Sequence, residues 1–242
     1  MQKTNGAFFV VACCVALVLG PGCSKESRKA RYLKNGYKYY SARQYDKAEV
    51  EYLNAIRLDS QNGVLIQRLG AIYFEQGRLE RAFGFLQRAK ELSADDAETH
   101  FMIALLHFSG GSTAKAREEL AAALAKDPLH AETIGLAAEA ALTLAERQQL
   151  REQIQSWRGK SGDKAPFHLA LGVLAIRENN PQAAEAELKQ ALGMDPKLAP
   201  AHASLGILYW QTNDLPGAER ELKAAAASPP RNLRSASRIT GS

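Results

Sequence analysis

Small and apolar residues recur along this chain with a spacing of 34. Gly36 and Gly70 stand one period apart, as do Ala48 and Ala82, Ala55 and Ala89, Ala82 and Ala116, and Ala89 and Ala123. The count continues through Gly172 and Gly206, Ala184 and Ala218, Leu188 and Leu222, and Ala191 and Ala225, with Pro128, Pro196 and Pro230 at period ends. Self-similarity at such a period marks an array of stacked units. Six repeats follow, starting near residues 29, 63, 97, 131, 165 and 199. Gly or Ala at the eighth and twentieth positions lets two antiparallel helices approach closely, while large residues at the seventh, eleventh and twenty-fourth fill the seam. Proline at the end cannot continue the second helix and sets up the turn into the next repeat.

Repeat two reads RLGAIYFEQGRLERAFGFLQRAKEL, with Leu69-Gly70, Tyr73, Gly77, Ala82, Leu86 and Ala89 at the marked positions. Repeat six reads SLGILYWQTNDLPGAERELKAAAASPP, with Leu205-Gly206, Tyr209, Ala218, Leu222, Ala225 and Pro230. The pattern resembles the tetratricopeptide repeat, a helix-turn-helix unit, over about 200 of the 242 residues. The resemblance implies an all-α fold, a right-handed α-solenoid of about six repeats spanning 29–230. Repeat four departs from it. Ala137-Ala138, Leu150 and Ile154 keep the apolar seam, but Trp157 replaces a small residue and the end reads RGKSGDKAP, which predicts a longer loop at about 158–164.

The first 22 residues stand outside the period. Lys3 precedes an uninterrupted apolar run, Ala7 to Leu19, followed by Gly20-Pro21-Gly22 and Cys23. That is the layout of a secretory signal peptide, and a run of 13 residues is shorter than the roughly 20 that a membrane span needs. The stretch Leu19-Gly20-Pro21-Gly22-Cys23 resembles a bacterial lipoprotein signal, with the leucine one place early. The resemblance implies cleavage before Cys23, lipid on Cys23, and a short linker over 23–28. Ser24 resembles the outer-membrane sorting pattern, which places the chain at the periplasmic face of the outer membrane in a bacterial cell envelope.

Composition removes several alternatives. The chain is 46% apolar and carries 41 alanines, which excludes a wholly disordered protein and leans toward helix. Its three cysteines, Cys13, Cys14 and Cys23, all lie in the first 23 residues, so neither a disulfide scaffold nor a Cys-ligated zinc site is available. His100, His168 and His202 share the fourth position of their repeats, where a large side chain faces the neighbouring helix. They read as packing residues, and His168 with His202 is the only pair close enough to test as metal ligands. No GxSxG, HExxH, P-loop or Gly-rich nucleotide turn occurs, so no enzyme, metal or cofactor is expected.

The informative surplus lies on the first helix of each repeat. Positions 5, 9 and 12 face the inside of such a superhelix, and here they are largely apolar. They supply Leu33, Tyr37 and Tyr40 in repeat one, Phe74 in repeat two, and Phe101, Leu105 and Phe108 in repeat three. Repeat five gives Leu169, Val173 and Ile176, and repeat six Ile207 and Trp210; repeat four contributes Gly135, Glu139 and Leu142. An apolar lining of this kind marks a groove for an extended or helical peptide. Phe74, Phe108 and Trp210, all at the twelfth position, are the expected contacts. Leu33 and Tyr37 stand where a carboxylate-clamping repeat protein would carry Lys and Asn, which argues against that mode.

Between Lys25 and Lys47 eight Lys or Arg face only Glu26 and Asp46, a local balance of +6. Beside a lipid anchor this segment would be drawn to anionic headgroups. Nucleic acid is not an expected partner. The tail, 231–242, is basic and is expected to be disordered. Together these features predict a lipid-anchored protein–protein interaction scaffold. It resembles the pilotin-type lipoproteins that help assemble secretin pores, and those that accompany exopolysaccharide export. The alternatives are an adaptor for peptidoglycan-remodelling enzymes or a truncated copy of a longer repeat protein.

Overall fold

The computed structural model describes residues 24–92 and 95–227. The expected signal peptide, Cys23 and the tail at 231–242 lie outside the described residues. Among those described there are twelve helices in six pairs, and no strand. The chain forms two compact units, 1–61 and 62–242. The first holds α1 (Lys25–Ser41) and α2 (Tyr45–Leu58). The second holds α3 (Gly63–Glu75), α4 (Leu79–Leu92), α5 (Ala97–Ser109), α6 (Thr113–Lys126), α7 (Ala131–Ala140), α8 (Leu144–Ser161), α9 (Ala165–Arg177), α10 (Pro181–Met194), α11 (Ala199–Gln211) and α12 (Leu215–Ala226). The all-α solenoid expected from the 34-residue period is therefore the observed fold.

The pairs close for the reason the small residues suggest. A Cβ built on Gly70 would stand 2.8 Å from Leu86 Cγ, and one on Gly172 only 2.7 Å from Leu188 Cγ. In the smaller unit Gly36 meets the ring of Tyr52 in the same way, at 2.6 Å. Small residues at the eighth position thus set the distance between paired helices, and the large residue at the twenty-fourth is buried against them in every repeat but the sixth, where Leu222 is exposed.

The turn within a pair is equally regular. Arg43, Gly77, Gly111, Asn179 and Asn213 all have positive φ, and each stands at the fifteenth position of its repeat. A left-handed residue there lets the next N–H reach back to the first helix, a common way to satisfy terminal carbonyls. Arg78 N–H donates to Tyr73 O at 2.8 Å, Ser112 N–H to His107 O at 2.8 Å, and Asn180 N–H to Ala175 O at 2.9 Å.

Repeat four breaks this geometry. Ala145 occupies the fifteenth position, where each of the other five repeats has a residue of positive φ. The turn forms three residues early instead: α7 ends at Ala140, and Thr143 caps a premature α8. Glu146 N–H donates to Thr143 Oγ1 at 3.2 Å while Thr143 N–H donates to Glu146 Oε2 at 2.9 Å, a complete capping box. At the twentieth position Leu150 replaces alanine, and at the twenty-seventh Trp157 does, so the backbones of α7 and α8 do not approach as those of the other pairs do. Trp157 turns onto the fully buried Phe167, rings 6.4 Å apart and nearly parallel. A cleft of about 250 Å³ opens between α6 and α8, lined by Ala121, Leu124, Ala125, Gln153, Ser156 and Trp157. The long loop expected at 158–164 is corrected accordingly. Helix α8 runs to Ser161, and the irregularity is absorbed at its N-terminal end.

Candidate peptide-binding site

Within the larger unit the first helices of successive repeats stand side by side. Gln67 on α3 donates to Thr99 Oγ1 on α5 at 2.7 Å, Phe101 and Phe108 on α5 share a cluster with Leu136 and Ala140 on α7, and α7 packs on α9 and α9 on α11. The inner positions of these helices then separate into two kinds. Position 5 is interlocking core: Gln67, Phe101, Gly135 and Leu169 are all buried, with Leu169 Cδ2 lying 3.5 Å from where a Cβ on Gly135 would stand. Position 12 reaches solvent in every repeat of this unit. Phe74, Phe108 and Ile176 are half-buried, Leu142 is exposed, and Trp210 is 67% exposed.

Position 9 varies from repeat to repeat. Ala71 and Val173 are buried, Leu105 is half-buried, and Glu139 and Ile207 are exposed, Ile207 to 43%. Of the expected lining, the structure therefore brings Phe74, Leu105, Phe108, Ile176, Ile207 and Trp210 to one accessible face. It places Phe101, Leu169 and Val173 in the core that holds the helices together. In the smaller unit Tyr37 is exposed and Leu33 half-buried, while Tyr40 is buried edge-on against Tyr45 at 5.6 Å.

Glu139 is the only charged side chain among the inner positions of this unit. It is open to solvent, yet the protein around it desolvates the carboxyl and raises its pKa, and the nearby Arg177 offsets only part of that.

The histidines are staples. His100 Nδ1 is 2.5 Å from Glu119 Oε2 on α6 and its Nε2 2.7 Å from Asp95 Oδ1. His168 repeats the arrangement with Glu187 at 2.6 Å and Asp163 at 2.9 Å, and His202 reaches Glu221 at 2.7 Å and Pro196 O at 3.1 Å. Each ties the first helix of its repeat to the second. The carboxylates respond. Hydrogen bonds from Lys126 and His100 hold Asp95 below its ordinary pKa, and one from His168 does so for Asp163. His168 and His202 each engage the glutamate of their own repeat. Among the described residues, no group of three or more His, Cys, Asp or Glu could hold a metal ion, and no helix is long and apolar enough to cross a membrane.

The cleft beside α8 was not anticipated. Its signal was present in Leu150 and Trp157, which exceed the alanines of the other repeats.

Comparison with known proteins agrees with this architecture. A model of the tetratricopeptide repeat matches residues 175–237. No curated protein sequence matches the chain. Among solved structures, a tetratricopeptide repeat protein from Parabacteroides merdae is similar with a TM-score of 0.56 at 18% identity, over 84% of this chain and 81% of that one. Pseudomonas aeruginosa pilF is similar with a TM-score of 0.56 at 14% identity, over 86% and 95%. TTC0263 of Thermus thermophilus, a thermophilic repeat protein, gives 0.53 at 22% identity, over 73% and 96%. With paired helices, a 34-residue period and these likenesses, the chain has the fold of a tetratricopeptide-repeat solenoid.

Proposed function

We propose that this protein is an interaction scaffold of the bacterial cell envelope, anchored by lipid on Cys23, which holds a peptide or protein partner along the exposed first-helix face of its larger unit. The observation that carries the reading is the continuous run of accessible apolar side chains from Phe74 through Phe108, Leu142 and Ile176 to Trp210. Side chains of this size left open on an ordered surface are the usual anchors of a partner. The basic segment supports the membrane side of the reading. Lys25, Arg28, Arg31, Lys34 and Lys38 are exposed on α1 and follow directly on Cys23. Basic residues held near an anionic surface contribute about 1 kcal/mol each. Assistance in assembling an envelope machine, a secretin or pilus or an exopolysaccharide exporter, is the role we assign to it. The sequence resemblance to pilotin-type lipoproteins supports that assignment.

The test is in-cell crosslinking of the full-length protein in its own host, followed by purification from membranes. Wild type is compared with an Ile207→Asp, Trp210→Asp double variant. Both residues are exposed, so stability should change by no more than about 0.5 kcal/mol per site. A defined envelope partner, captured by the wild type and lost from the double variant, is the expected result. Equal capture by both proteins, or wild type recovered alone, refutes the reading. Cys23→Ser should at the same time move the protein from the membrane to the soluble fraction.

A further inference from the structure

We propose that the partner segment presents a cationic side chain, Lys or Arg, to Glu139, flanked by apolar residues that settle against Phe108 and Leu142 on one side and Ile176 and Trp210 on the other. This rests on the scaffold reading above and names the chemistry of the segment that the face accepts.

Two independent features of repeat four converge on a positive charge. The first is the carboxylate itself, the single charge in an otherwise uncharged lining. Glu139 forms no ion pair or hydrogen bond with any described residue, although its pKa is raised by the protein around it. Arg177 offsets part of that desolvation without reaching hydrogen-bond distance, so a cation brought directly against the carboxylate still supplies compensation that the protein does not.

The second is the early end of α7. Because the helix stops at Ala140, Glu139 lies in its last turn, where the aligned peptide dipoles leave partial negative charge. The carbonyls just beyond already hold one cation, which shows the sign of charge this helix end accepts. Arg147 Nη1 donates to Leu142 O at 2.8 Å and to Ala141 O at 3.4 Å. A regular repeat would carry the helix three residues further and remove this end from Glu139. The early turn therefore also places a helix end beside Glu139.

Spacing limits the segment. Packed helices lie about 8–10 Å apart, and an extended chain advances about 3.3 Å per residue. One repeat thus corresponds to roughly three residues of extended peptide, placing apolar residues about three positions before and after the cation.

The experiment uses the full-length protein in detergent and three fluorescein-labelled twelve-residue peptides. The peptides are identical, with apolar residues three positions either side of a central Lys, Gln or Glu. Fluorescence anisotropy gives the affinities for wild type and for Glu139→Gln, whose unchanged melting temperature verifies the fold. The expected result is a preference of about fivefold or more for Lys over Gln in wild type, abolished in Glu139→Gln with the Gln peptide unaffected. Equal binding of all three peptides to wild type overturns the cation proposal and leaves the apolar face standing. Preference for the Glu peptide also overturns it and names Arg177 as the recognising group. Binding of none of them overturns this proposal, while the crosslinking experiment decides the scaffold reading separately.

Discussion

Gly172→Ala and Gly206→Ala place the same methyl group at the same repeat position with opposite expected outcomes. At Gly172 the new Cβ would lie 2.7 Å from Leu188 Cγ, 2.9 Å from Leu188 Cδ2 and 3.3 Å from Ala184 O. Leu188 is 0% exposed and enclosed between α9, α10 and their neighbours, so it has nowhere to go. At Gly206 the clash is nearly identical, 2.8 Å from Leu222 Cγ and 3.0 Å from Cδ2, but Leu222 is 44% exposed and can rotate toward solvent. Overpacking a closed site costs about 1–3 kcal/mol. Replacing a mid-helix glycine by alanine returns about 0.5–1 kcal/mol. The net expectation is a loss of about 1–2 kcal/mol for Gly172→Ala and a gain of about 0.5 kcal/mol for Gly206→Ala. For a chain of this size each kcal/mol moves the melting temperature by about 2–4 °C. Parallel thermal and urea unfolding followed by far-UV circular dichroism resolves the two. Hydrogen exchange of α9 and α10 should show the loosening locally, since repeat arrays need not unfold as one unit. Equal destabilisation by both substitutions refutes the reasoning. It would mean that the backbone approach, 3.3 Å to Ala184 O or to Leu222 N, sets the helix spacing, and not the confinement of the facing leucine.

Two further outcomes follow from the staples and the caps. Asp95 is held low by hydrogen bonds from Lys126 and His100, Asp163 by His168, and Glu119, which burial pushes upward, is held low by His100 and Lys90. Carboxylates depressed in the native state contribute stability that is complete above their unfolded values and lost as the pH falls through the native ones. The urea midpoint should accordingly be level near neutrality and decline below about pH 4. It should decline less in His168→Gln, and a midpoint unchanged down to about pH 2 would contradict the assignment. Thr143→Ala should cost about 1 kcal/mol and speed hydrogen exchange in the first turn of α8. Unaltered exchange there would mean that the capping box does not hold the early start of that helix.

Much of the architecture could be read from residue identities because tetratricopeptide packing is local. Gly70 opposite Leu86 and Gly172 opposite Leu188 lie 16 residues apart in sequence, so the spacing of a pair is written within a single repeat. The inner face was only half legible. Position 5 and position 12 look alike in sequence, as Phe101 and Phe108 show, yet one is core and the other reaches solvent. The difference depends on how far each helix overlaps its neighbour, which is a property of the stacked pair and not of either segment. Repeat four was legible as irregular from Trp157, but the place of the irregularity was not. It lay in the turn, where Thr143 and Glu146 form a capping box that starts α8 three residues ahead of the second helices of the other repeats.

The slipped turn links the irregular repeat to the proposed binding face. With its early turn and with Leu150 and Trp157 where the other repeats have alanine, repeat four leaves α8 apart from α7 and a cleft beside Trp157. Instead α8 is held by side chains that reach outward. Arg151 makes a paired contact with Glu178 beyond the end of α9, 2.8 and 2.7 Å, and Arg147 both contacts Glu178 and binds the carbonyls after α7. Those arginines secure the early turn without the Gly-to-Leu seam that closes its neighbours. They also leave Leu142 exposed on the turn and Glu139 at a helix end. The array therefore gives up close packing in the one repeat where the lining carries a charge. Elsewhere in the larger unit position 5 is buried or half-buried and position 12 reaches solvent, so the accessible apolar side chains of the inner positions are interrupted once by a carboxylate.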